Sequence, residues 1–220
     1  MGSNFRGLRW LAALGWQPKL ENAFRLVSRN IDIFAGIWLL DSAVFLLYVY
    51  ARLAAAILPL SLGLVGRRVF PQLKKLTMQN DYLQFQSAAA RVNLAFLMVS
   101  GGVAMLVLTI APELNFSQTG EFKEVLVWLL LAQSTPILFG ATPILMRAVG
   151  RETFYEVLLG ISAAFFLAAT LILNTHEGVS IAQIYATSQL TVAAASALLL
   201  TQYGIWPGLT ALFHKRIKLL

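Results

Sequence analysis

Residues 20–66 form an almost unbroken apolar stretch of 47 residues, and its length governs what the chain can fold into. A helix crosses a bilayer in about 20 mostly apolar residues, so this stretch is more than twice too long for one span. Asp41 and Ser42 supply a polar turn near its middle, which predicts a tight helical hairpin. Four more apolar runs follow. The predicted spans are residues 20–40, 43–65, 88–111, 125–145, 154–173 and 181–205. The expected fold class is all-α: a polytopic membrane helical bundle of about six transmembrane helices. Residues 1–19 read as a cytoplasmic or interfacial segment, 20–206 as the bundle and 207–220 as a basic cytoplasmic tail.

Composition agrees. Hydrophobic residues make up 58% of the chain and charged residues 12%. A soluble domain carries roughly 25% charged residues to keep its surface wet. The formal net charge is +7, but the basic residues lie between apolar runs and not on one polar face, which argues against nucleic acid as a partner. With no cysteine there is no disulfide or thiolate metal site, and His176 and His214 lie in separate polar segments and make no ligand pair. No nucleotide loop, HExxH or nucleophile elbow is present, so neither an enzyme nor a cofactor is expected. The N-terminal stretch around Trp10–Trp16 is too short for a signal peptide, and Phe5, Leu8, Leu11 and Ala12 with Arg6 and Arg9 suit an interfacial helix.

Fifteen of the seventeen Lys and Arg residues fall in four segments: the N-terminal part, the region from Arg67 to Arg91, the loop with Arg147 and Arg151, and the tail. The other connectors carry only Lys123 among Glu113, Glu121, Glu124 and Glu177. Six spans put all four basic segments on one side, as the positive-inside rule requires. Five or seven would not. Both termini are therefore expected in the cytoplasm. The polar stretch 72–86 reads as a helical segment on the cytoplasmic surface. Pro59, Pro136 and Pro143 fall inside spans, where they kink helices or open local backbone. Gly101–Gly102 would permit close helix contact.

The first hairpin carries the polar residues that most need explaining. Asn22, Arg25, Arg29, Asp32 and Gly36 recur at helical spacing and share one predicted face, opposite Phe24, Val27, Ile31, Phe34 and Trp38. Tyr48, Arg52, Ala55, Pro59 and Gly63 share a face of the second span, with Arg52 near mid-membrane. A charge at that depth must face a cavity or a counter-charge. Two readings of Arg52 stand: a bridge to Asp32 that locks the hairpin, or a cation presented to an anionic substrate. Arg25 and Arg29 either line the same cavity or snorkel at the boundary, with Asp32 then paired to Arg29 at i,i+3. The candidate substrate-binding set is Arg25, Arg29, Asp32, Tyr48 and Arg52. Asn93, Ser100, Gln133, Thr135, Gln183, Thr187 and Thr191 read as interhelical hydrogen bonds or pore-lining groups.

Arg29-Asn30-Ile31-Asp32, Tyr50-Ala51-Arg52-Leu53, Leu58-Pro59-Leu60 and Arg68-Val69-Phe70-Pro71 follow one another in an order that resembles the second half of bacterial polysaccharide flippases. These are the O-antigen and colanic-acid type of the multidrug/oligosaccharidyl-lipid/polysaccharide exporter superfamily. Ala111-Pro112-Glu113-Leu114 and Ala148-Val149-Gly150-Arg151 resemble later turns of that half. Ser42-Ala43-Val44-Phe45, where the family carries a glycine, departs from the pattern. The resemblance implies a bundle that is half of an inner-membrane transporter, completed by a separate first half or a second copy. It implies a lipid-diphosphate-linked oligosaccharide as substrate, with membrane lipids as surroundings. A cation-coupled drug exporter and a non-transporting scaffold are the alternatives.

The absence of native cysteine makes the orientation measurable. In intact spheroplasts, an impermeant maleimide is expected to label His176→Cys at once and Lys75→Cys only after permeabilisation. The reverse pattern overturns the orientation.

Overall fold

The structure, a computed structural model, describes residues 23–24, 26–110 and 120–206. The segment 1–19, Asn22, Arg25, residues 111–119 and the tail 207–220 lie outside the described residues. The described chain is helical, with no strand. Its elements are α1 (Ile31–Leu39), α2 (Ser42–Met78), α3 (Tyr82–Ile110), α4 (Gly120–Gln133), α5 (Thr135–Phe139), α6 (Thr142–Ala148), α7 (Glu152–Leu173) and α8 (Gly178–Thr201).

Among the described residues five helical segments are long and apolar enough to cross a membrane: α2, α3, the run Gly120–Phe139, α7 and α8. The count of six is not reproduced here. The first expected span appears as α1, only nine residues long, preceded by helical residues 26–29. Asn30 interrupts the path with φ −120° and ψ 24°. Around this break the Ile33 amide donates to the Asn30 carbonyl and not to that of Arg29, which leaves the Arg29 carbonyl available to other donors. The turn at Leu40 and Asp41 joins α1 to α2 as the hairpin predicted. At Gly36 a Cβ would sit 3.1 Å from the Phe45 ring, so its absence lets the two helices close on each other.

The helices outrun the apolar stretches. At 37 residues α2 is about 55 Å long, against about 30 Å of hydrocarbon. Its last turns carry Arg67, Arg68, Lys74 and Lys75, so the region read as a separate surface segment is the continuation of two spans. Only Gln79, Asn80 and Asp81 form the turn. Asn80 takes φ 55°, a left-handed conformation that asparagine tolerates at a helix end. The Asp81 carboxylate accepts from the Gln84 amide at 3.1 Å and starts α3.

The expected fourth span is broken into α4, α5 and α6. Pro136 and Pro143 do not kink a continuous helix; each stands in the first turn of a new short one, where its missing N–H costs nothing. Between α5 and α6, Gly140 takes φ 74° and ψ −169°, a region essentially closed to residues with a Cβ. The buried Asn93 of α3 closes the gap. Its Oδ1 accepts from the Ala141 amide at 2.9 Å and its Nδ2 donates to the Trp206 carbonyl at 3.1 Å. Non-helical backbone at membrane depth needs such partners.

Helix α8 packs on α4 and α7, and α2 packs on α3 and α4. Two apolar clusters result. One contains Tyr48, Ala55, Phe122, Leu129, Phe166 and Tyr185; the other contains Leu58, Phe85, Phe96, Leu145 and Leu200. Large apolar side chains such as Leu60, Met98, Ile172 and Leu198 are exposed on the outside, as lipid-facing surface requires. Gly101 and Gly102 make no close contact among the described residues, since a Cβ at either meets nothing there within 4 Å.

Gly140→Ala is expected to destabilise the protein by about 1–3 kcal/mol, because it combines a closed backbone region with a clash against Asn93. A lowered unfolding midpoint in detergent checks it; an unchanged midpoint would show that the break relaxes freely.

Candidate functional site

Asp32 of α1 is fully buried, with two side chains of α2 on it and α8 one bond further out. The Tyr48 hydroxyl donates to its Oδ2 at 3.0 Å, and Arg52 Nε donates to the same oxygen at 2.9 Å. Arg52 Nη2 donates onward to the Tyr185 hydroxyl at 3.0 Å, and its guanidinium carbon lies 5.1 Å from the centre of the Tyr185 ring. The Tyr185 hydroxyl donates to the Arg29 carbonyl at 3.2 Å, with Arg52 Nη2 at 3.4 Å from the same oxygen. That is the carbonyl released by the break at Asn30. Phe166 stacks edge-on against Tyr185 at 6.2 Å and walls the network off. The Arg52 side chain is 11% exposed.

The bridge reading of Arg52 therefore describes this conformation: its guanidinium is committed to Asp32, Tyr185 and a backbone carbonyl. Asp32 and Tyr48 stand beside it as the spacing predicts, and sequence reasoning missed Tyr185. A tyrosine in an apolar helix looks like ordinary core until its hydroxyl is seen to have a charged partner.

Two predicted faces turn out differently. Asp32 and Gly36 point inward, but Arg29, beyond the break, is exposed, and Ile31, expected on the opposite face, is buried. On α2 the buried face runs through Tyr48, Ala51, Ala55, Leu58, Leu62 and Gly66, while Pro59 and Gly63 are exposed. Small and apolar residues, not the polar ones, set the packed side below Arg52. Among the described residues, Ser100, Thr187 and Thr191 bond to carbonyls of their own helices and not across helices.

Arg29 instead opens onto a cleft of about 560 Å³ at the end of the bundle that carries the basic loops. Gly63, Gly66, Arg67 and Phe70 of α2 form one wall, and Pro143, Ile144 and Arg147 of α6 another. Glu152, Tyr155 and Glu156 of α7 complete it. A Cβ on Gly66 would collide with Ile144, so the glycine sets how closely α2 and α6 approach at the cleft. Arg147 donates from Nε at 3.0 Å and from Nη2 at 2.6 Å to Glu152 Oε1, and lies over the Phe70 ring. Hydrogen bonding to Glu152 raises the Arg147 pKa above its ordinary value. Arg67 and Arg147 had counted only as topology signals; the fold brings them to one cavity with Arg29.

No protein-family model, curated protein or solved structure matches the chain.

Removing one partner of the buried pair leaves the other charge uncompensated, a loss of about 3–5 kcal/mol for Arg52→Ala. Asp32→Asn with Arg52→Leu is expected to recover much of that loss, and Tyr185→Phe to cost about 1 kcal/mol. Thermal unfolding of these variants, of Asp32→Asn and Arg52→Leu singly, and of wild type in one detergent measures the coupling; additive losses would show that the pair is independent.

Proposed function

We propose that the chain is one half of a bacterial inner-membrane transporter that moves a lipid-diphosphate-linked oligosaccharide across the bilayer by alternating access, with both termini cytoplasmic. The observation that carries this reading is the cleft, where Arg29, Arg67 and Arg147 converge beside the apolar faces of α2 and α6. Arginine forks match phosphate oxygens. The apolar helices beside them suit a lipid chain, and the cleft opens at the end where a cytoplasmically made substrate enters. The order of motifs around Asp32, Arg52 and Pro59, which resembles the polysaccharide flippases, supports the same assignment. A separate first half or a second copy of the chain supplies the facing wall of the path.

In this scheme the Asp32–Arg52 pair is the structural centre and the cleft is the recognition site. A drug exporter handling cations is a poorer match, because the cleft stays net positive, with three arginines against two glutamates. The commitment of Arg52 to internal partners favours a second reading, a non-transporting scaffold whose membrane charges only hold helices together.

Export separates the two. With protein levels held equal, Arg67→Ala and Arg147→Ala are each expected to lower surface glycan about tenfold or more, the scale of a lost charged hydrogen bond. Arg68→Ala, exposed and outside the cleft, is expected to export normally. Wild-type export from both cleft variants would favour the scaffold.

A further inference from the structure

The cleft already contains an anion of its own. Glu152, at the start of α7, places Oε1 against both Nε and Nη2 of Arg147. That edge of the guanidinium is one a phosphate group takes when it binds side-on. We infer that Glu152 is an internal competitor: it holds the phosphate position on Arg147, and a phosphate-bearing ligand enters by displacing it. The inference rests on reading the cleft as an anion site.

Three features make displacement workable. The pair is half exposed, with side-chain accessibilities of 46% and 40%, so water screens it and its rupture is cheap. Glu152 begins α7 and, once displaced, can turn its carboxylate to solvent without being buried uncompensated. Arg29 and Arg67 line the same cleft, so an incoming phosphate meets further cations beside Arg147. Glu156 lines it too and acts on Arg147 through its charge. The two glutamates keep the cleft from being strongly cationic, which raises the threshold against singly charged anions. A ligand with several negative oxygens can engage all three arginines and outcompete one carboxylate. Glu152 thus sets selectivity for highly charged headgroups.

The test uses the full chain in nanodiscs of neutral lipid, titrated with farnesyl diphosphate, inorganic pyrophosphate and farnesol. Glu152→Gln keeps the side-chain shape and removes the charge. It is expected to bind farnesyl diphosphate about three- to fivefold more tightly than wild type, the scale of an exposed ion pair. Glu152→Ser, a second variant in case the first disturbs folding, is expected to behave alike. Adding either change to Arg147→Ala is expected to give no further gain, because the competitor has lost the position it occupies. A similar gain with pyrophosphate identifies the phosphate group alone as the competing species; a gain confined to farnesyl diphosphate identifies a lipid-tethered one. Unchanged or weaker binding by both Glu152 variants, with Arg67→Ala still weakened, would overturn the competitor role and leave the anion site standing. Binding that none of the arginine changes affects, or that farnesol matches, would overturn the site and the competitor together.

Discussion

A carboxylate and a guanidinium buried among apolar helices must neutralise each other, and the Asp32–Arg52 contact meets that requirement across the first hairpin. Its consequences spread outward. Arg52 has donors left over after bonding Asp32 Oδ2, and these reach Tyr185 and the Arg29 carbonyl. Helix α8 is thereby tied to the hairpin, although more than a hundred residues separate them. The same tie gives a partner to a carbonyl that the break at Asn30 would otherwise leave bare in the bilayer. That break, in turn, takes Arg29 off the buried face of α1 and lets it open onto the cleft.

Asn93 solves the same problem at a second place. The chain between α5 and α6 abandons helical geometry at Gly140, and one amide side chain closes the gap from α3. Both irregular points border the cleft region, one through Arg29 and the other through the short helix α6 that carries Arg147. Irregular backbone in a membrane protein is tolerated where it is buried in protein or lines a cavity. Here it positions two of the three arginines.

Parts of this were legible in the sequence for definite reasons. The hairpin turn is, because a polar pair in the middle of an overlong apolar run has one structural meaning. The Asp32–Arg52 contact was one of two readings, since buried opposite charges on adjacent spans have few other outcomes. The lengths of α2 and α3 are not legible, because a helix that leaves the membrane becomes polar and hydropathy then cannot tell it from a loop. The break at Gly140 depends on Asn93, far away in sequence, so two prolines suggested kinks where the chain starts new helices. Arg67 and Arg147 obey the positive-inside rule like the other loop cations. Only their convergence, set by the close approach of α2 and α6 at Gly66 and Ile144, distinguishes them.

The unusual length of α2 gives it a mechanical meaning. Arg52 anchors it near one end, and Met78 lies 26 residues further along, a shaft of about 39 Å. A tilt of about 10° at the anchor sweeps the far end through about 7 Å, and Arg67, partway along, through about 4 Å. Arg147 sits on a different helix and does not share that arc. A tilt of the helix about this salt bridge would thus act as a lever, and a shift of a few ångströms at Arg67 would change the width of the cleft.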